Sequence, residues 1–243
     1  MRPIVLAFVI ALSAAAHGQS RRVETGFLDR SVRQGGLTYR FQVYVPIGDP
    51  PARGWPILVD LHGNGAQGDD GIRQTAHFLP EEIRLKRSRF PLIVVFPQAA
   101  RDTTWRTPAM ANMVIAEIDQ AAAEFHVDQT RMYLSGFSMG GAGVYEIASR
   151  WPERFAALIA IAGYGPDDDA NLVKQLRSVP LRIFHGARDE RVDVERARKL
   201  VADLKKAHAS VDYTEFPDAR HGPTAERVYA DPAVIDWLLS QHR

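Results

Sequence analysis

Residues 131–150 read RMYLSGFSMGGAGVYEIASR, and the fold follows from how this stretch is parsed. Met132-Tyr133-Leu134 is a short apolar run that suits a buried strand. The chain then turns through Gly136-Phe137-Ser138-Met139-Gly140-Gly141, and Ala142, Val144, Tyr145, Ile147 and Ala148 follow at helical spacing. Strand, glycine turn and helix are the setting in which a G-x-S-x-G turn lifts a serine to the top of a sheet. A Cβ at Gly136 or Gly140 would crowd that turn, and the serine between them takes a strained backbone conformation. The same turn aims the N–H of Met139 at the place where an oxyanion would form. Taken alone, the pentapeptide also fits a glycine-rich turn with a bystander serine, so the rest of the chain has to decide.

A serine hydroxyl is a poor nucleophile at neutral pH. It needs a base, and the base needs an orienting carboxylate. Downstream, Ile183-Phe184-His185-Gly186-Ala187-Arg188-Asp189 is a buried strand followed by a loop that ends in an acid. Glu215-Phe216-Pro217-Asp218-Ala219-Arg220-His221-Gly222 is a strand followed by a loop with a histidine. Ser138, Asp189 and His221 therefore stand in the chain order of a strand-end serine, acid and base. Both partners fall just past the carboxyl ends of predicted strands, where open parallel sheets place their sites. His185 competes as base but precedes the acid, and its pairing with Gly186 suits a turn. Asp193 competes as acid but sits where an N-cap explains it. Asp218 reads equally as a turn former. His77, His126, His208 and His242 read as exposed or helix-face histidines.

Outward from this centre, Val23 to Asp29 and Leu37 to Val45 suggest an antiparallel strand pair turned at Gly35-Gly36. Buried strands are predicted at Ile57 to Leu61, Leu92 to Phe96, Phe155 to Ala162, Leu181 to Phe184 and Val211 to Phe216. Helices are predicted at Gln74 to Arg87, Ala111 to Phe125, Val194 to His208 and Val234 to Ser240. Strands alternating with helices imply an α/β fold with a mainly parallel sheet covered on both faces. After the strand Ile57 to Leu61 comes His62-Gly63-Asn64-Gly65, a loop whose glycines let backbone approach a substrate oxygen. We assign the second oxyanion donor to the N–H of Asn64, beside Met139, and give His62 a bracing role.

LHGNG, GFSMGG, HGARDERV and DARHG, in this order, resemble the α/β-hydrolase superfamily. The likeness runs from about Thr38 to the C-terminus and is greatest to secreted carboxylesterases of the feruloyl esterase, acetylxylan esterase and polyhydroxyalkanoate depolymerase group. WPERFAALIAIAGYG and YTEFPDARHG are similar to segments of bacterial members. The resemblance implies an acyl-serine mechanism with no cofactor, acting on small-molecule or polysaccharide-linked esters. The same triad also serves serine peptidases and polyester depolymerases, and a non-catalytic binding module on a hydrolase fold is the alternative of another class. An aromatic often follows the histidine soon after in relatives; here Gly222-Pro223-Thr224 follows.

Substrate contacts are expected from Trp105, in the loop Gln98 to Pro108 after a strand end, and from Tyr164, after another strand end. Asp167-Asp168-Asp169 reads as a solvated loop, since calcium wants its oxygen ligands at wider spacing. No phosphate-cradling loop or metal-spaced histidine pair is present, so no metal is expected.

Composition sets the outer bounds. With 243 residues and 46% apolar content, the chain can build one α/β domain with a substantial core. A formal net charge of +1 with no basic stripe argues against nucleic acid as partner. The first residues, MRPIVLAFVIALSAAAHGQS, carry one arginine, an apolar core too short to span a bilayer, and small residues at 16 and 18. They read as a signal peptide over 1–18, leaving 19–243 as a single catalytic domain, secreted or periplasmic and free of the membrane after cleavage. An uncleaved anchor is the alternative. The absence of cysteine excludes disulfides, a thiol nucleophile and thiolate metal sites.

Overall fold

The computed structural model describes residues 24–166 and 170–243. The leader expected over 1–18 and the Asp167-Asp168-Asp169 segment lie outside the described residues. Eight strands form one sheet in the order β1-β2-β4-β3-β5-β6-β7-β8. They are β1 (Gly26–Gln34), β2 (Leu37–Val45), β3 (Trp55–Leu61), β4 (Ile93–Phe96), β5 (Val127–Phe137), β6 (Ala157–Ile161), β7 (Leu181–Gly186) and β8 (Val211–Phe216). β1 and β2 are antiparallel to each other, β2 is antiparallel to β4, and the remaining pairs from β4 to β8 are parallel.

The central strands are mostly apolar because helices cover both sheet faces. On one face lie α2 (Pro108–Glu124), α3 (Met139–Arg150), α4 (Ala170–Leu176) and α5 (Val194–Lys206), whose side chains share a core with Ile57, Val59, Leu134 and Ile183. On the other face lie α1 (Leu79–Leu85), α6 (His221–Ala230) and α7 (Pro232–Ser240), packed on Leu58, Tyr133 and Ile159. The two-residue period of β3 and β5 therefore sends Asp60 and Ser135 to the α6 face, among apolar neighbours. They are register partners on adjacent strands.

Several elements differ from the sequence expectation, α4 being absent from it, and four of the differences have a plain physical cause. β1 begins at Gly26 and runs to Gln34, because the Gly35-Gly36 turn has positive φ at both residues (59° and 82°) and pairs the strands through Gln34↔Leu37. The helix expected over Gln74 to Arg87 is cut to α1, since Phe78 takes φ 62° and Pro80 fits only in a first turn. β5 extends back to Val127, pairing with Trp55. His221, expected in a loop, is the first residue of α6; Gly222-Pro223 masked a helix whose first turn tolerates proline.

Candidate active site

Ser138 sits between the end of β5 and the start of α3, with φ 58° and ψ −116°. Such a conformation costs a non-glycine residue about 1–3 kcal/mol and persists only where its surroundings fix it. Here Ser138 N–H donates to Ile161 O at 2.8 Å, and Ser138 O accepts from Ala142 N–H at 3.0 Å. The flanking glycines are demanded by close approach. A Cβ on Gly140 would lie 1.8 Å from Leu61 O, and one on Gly136 would lie 2.5 Å from the Gly140 carbonyl carbon.

The structure brings Ser138, His221 and Asp189 together. His221 Nε2 is 2.8 Å from Ser138 Oγ, and His221 Nδ1 is 2.7 Å from Asp189 Oδ2. The imidazole is buried and its ring centroid lies 4.7 Å from that of Phe137. Asp189 occupies the turn after β7, where its Oδ1 accepts from the N–H groups of Arg191 and Val192, each at 2.9 Å. Burial alone would raise this carboxyl, but the bonds from His221 and those two N–H groups outweigh it and hold it below the usual carboxylate range. His185 also approaches the acid, at the oxygen that His221 meets. Its Nε2 is 3.1 Å from Val192 O and 3.2 Å from Asp189 Oδ2, a geometry that puts the proton on Nε2 and gives it to those acceptors. Asp193 caps α5 by accepting from Glu195 N–H, and Asp218 pairs with Arg227. His77, His126, His208 and His242 are exposed.

The loop after β3 is braced from behind by His62. Its Nδ1 donates to Gly63 O at 2.6 Å, and its Nε2 accepts from Ala99 N–H at 3.0 Å. Burial pushes its pKa down to about 4, only partly offset by the Gly63 carbonyl, so the ring is neutral at pH 7. Asn64 opens a short 3₁₀ turn in this loop, and Met139 is the first residue of α3. Both N–H groups lie ahead of the first helical hydrogen bond.

Trp105 and Tyr164, the expected substrate contacts, are not among the residues that line the cavity at Ser138. Trp105 is wholly buried; its Nε1 donates to His62 O at 2.9 Å, and a Cβ at Gly143 would lie 2.5 Å from its Cβ. The indole anchors the loop and has no face open to a ligand. Tyr164 lies under the Arg196 guanidinium, 5.2 Å from its ring centre, and lines a separate depression beside α3. The cavity at Ser138, about 510 Å³, is instead walled by Phe78, Phe137 and the His62–Ala66 loop, with Asp60 and Tyr229 also lining it. Phe78 and Phe137 stack edge to face at 4.9 Å. Sequence reasoning passed over these aromatics, because Phe137 reads as an elbow spacer and Phe78 as part of a helix. It also passed over Asp60, although a lone acid in the run ILVDL was a visible signal. Among the described residues, no cluster of three or more His, Asp or Glu side chains is arranged to hold a metal, and no helix is long and apolar enough to cross a membrane.

Comparison with known proteins places the chain. The model of the dienelactone hydrolase family matches residues 96–234. A bifunctional acetylxylan esterase/xylanase of Neocallimastix patriciarum is 29% identical over 184 residues, covering 71% of this chain and 25% of that protein. The structure of a thermostable esterase superposes with a TM-score of 0.79 at 28% identity, covering 89% of this chain and 63% of the other. The chain thus spans a quarter of the curated relative and under two thirds of the thermostable esterase. The feruloyl esterase module of Clostridium thermocellum complexed with sinapinate shares the fold, with a TM-score of 0.67 at 15% identity over 86% of each chain. The architecture is the α/β-hydrolase fold, and the chain belongs to the dienelactone hydrolase family.

Proposed function

We propose that this member of the dienelactone hydrolase family is an exported serine carboxylesterase that cleaves acetyl or feruloyl-type esters, small or polysaccharide-linked, through an acyl-enzyme. One observation carries the reading: the unbroken hydrogen-bond chain from Ser138 Oγ through His221 to Asp189, opening on a cavity large enough for an aromatic acyl group. Family membership and the likeness to esterases support ester hydrolysis as the reaction class.

His221 Nε2 takes the hydroxyl proton as Ser138 Oγ attacks the ester carbonyl carbon. Asp189 accepts from Nδ1–H and stabilises the imidazolium that forms. The N–H groups of Met139 and Asn64 donate to the oxyanion, and the loop braced by His62 and Trp105 fixes the second of them before substrate arrives. His221 returns the proton to the leaving alcohol. Water, deprotonated by the same nitrogen, then attacks the acyl-serine and releases the acid. The chemistry is carried by this chain's side chains, its backbone N–H groups and water.

Ser138→Ala should lower turnover of p-nitrophenyl acetate on the order of 10⁴-fold or more while leaving circular dichroism unchanged. A fluorophosphonate probe should label the wild type on Ser138. A folded alanine variant that keeps wild-type turnover rejects the nucleophile, and an unlabelled wild type favours a non-catalytic binding module.

A further inference from the structure

The inner part of the cavity contains a carboxyl group that the mechanism does not use. Asp60 lies on β3 and faces α6, where its side chain is 8% exposed. Its Oδ1 accepts two short bonds, from Ser135 Oγ at 2.5 Å and from Tyr229 OH at 2.6 Å. Among the described residues nothing donates to Oδ2, and the residual exposure of the side chain opens into the cavity shared with Ser138 and His221. A buried carboxyl with one oxygen saturated and the other open is an acceptor waiting for a donor. Three elements hold it in place: β3 carries it, β5 supplies Ser135, and α6 supplies Tyr229. Phe78, Phe137 and Leu61 form the apolar part of the cavity lining beside the polar groups of His62, Ser138 and His221, and Asp60 itself is 8% exposed, so a substrate group that reaches Asp60 loses water and must replace it there.

We propose that Asp60 Oδ2 is a specificity-determining acceptor for a hydroxyl group carried by the ester substrate, with Ser135 and Tyr229 as its positioning residues. The chemical class selected is a hydroxylated carboxylic ester, in which the hydroxyl donates to Asp60 while the ester carbonyl meets Ser138. Deoxy and O-methyl counterparts bring no donor to Asp60 Oδ2. This rests on the reading of Ser138 as the nucleophile of ester hydrolysis.

The hydroxyl can sit on the acid or on the alcohol, and two matched pairs separate the sources. One pair is methyl 4-hydroxycinnamate against methyl 4-methoxycinnamate. The other is methyl 2-O-acetyl-xylopyranoside against its 3,4-di-O-methyl derivative. Purified wild type should favour the hydroxylated member of at least one pair by about tenfold or more in kcat/KM, the worth of one hydrogen bond at a buried acceptor that is otherwise left unpaired. Asp60→Asn turns an N–H₂ toward the ligand and should bring that ratio to within about threefold of unity. Asp60→Ser, smaller and still able to meet Ser135 and Tyr229, should do the same if the asparagine variant does not fold. A ratio cancels general damage to the site, which a purely structural Asp60 would cause equally for both esters. Turnover of p-nitrophenyl acetate through Ser138 with no hydroxyl preference in either pair overturns the proposal. So does a folded Asp60 variant that keeps the wild-type preference. Loss of the parent reading has a different signature: a folded Ser138→Ala protein as active as wild type on p-nitrophenyl acetate.

Discussion

Acid should weaken this protein through His62, and the size of the effect can be worked out. The ring is held neutral, with its pKa near 4 against 6.5 for the free side chain. Its two nitrogens have opposite duties, donating to Gly63 O and accepting from Ala99 N–H. Protonation would set a ring N–H against the Ala99 N–H. The unfolded chain binds this proton below about pH 6.5 and the folded chain only near pH 4, so stability is full above 6.5 and falls as pH drops. Linkage between those two values gives a loss of about 2 kcal/mol at pH 5 and about 3 kcal/mol at pH 4. His62→Gln, whose side-chain oxygen can still accept from Ala99, lacks the titration. Urea unfolding of both proteins at pH 7.5 and pH 5 measures it. The wild type should lose about 2 kcal/mol more than the variant between these pH values. Equal losses in the two proteins would refute the assignment of a neutral, buried His62.

Glu117 on α2 is fully buried, neither carboxyl oxygen has a partner among the described residues, and burial raises its pKa well above the usual range. Glu117→Met should therefore stabilise by about 1–3 kcal/mol. The gain should grow as pH rises above 4.5, where the unfolded glutamate sheds its proton and the folded one resists; scanning calorimetry at pH 5 and 8 checks both. Gly140→Ala should cost about 4 kcal/mol or more and leave little soluble protein, because the new methyl meets a backbone carbonyl that cannot retreat. Asp189→Asn should lower kcat for p-nitrophenyl acetate on the order of 10⁴-fold with the fold intact by circular dichroism, since an amide at this position no longer fixes the His221 tautomer.

The parts of the site that were legible in sequence are those whose chemistry leaves marks on neighbouring residues. Gly136 and Gly140 advertise the crowded turn at Ser138, and strand ends before Asp189 and His221 place both at one edge of the sheet. The burial of Trp105 was not legible, because an aromatic after a strand end does not say which way its ring turns. The clue was in another element: Gly143, a glycine in mid-helix, is small because the tryptophan occupies its space. Phe78 was hidden by helix-like spacing; its positive φ and the contact of its ring with Phe137 are invisible to local pattern. The early start of β5 depends on a partner distant in the chain, Trp55, which pairs with Val127.

Helix α6 begins with His221 and carries Tyr229 eight positions later, about 12 Å along a stiff rod. The proton carrier and the prop beneath Asp60 are thus two points on one lever. Tilting that lever to admit a bulkier guest would drag the imidazole off the serine. Broadening of substrate range in descendants of this chain is therefore channelled into trimming side chains such as Phe78, and away from shifting the backbone.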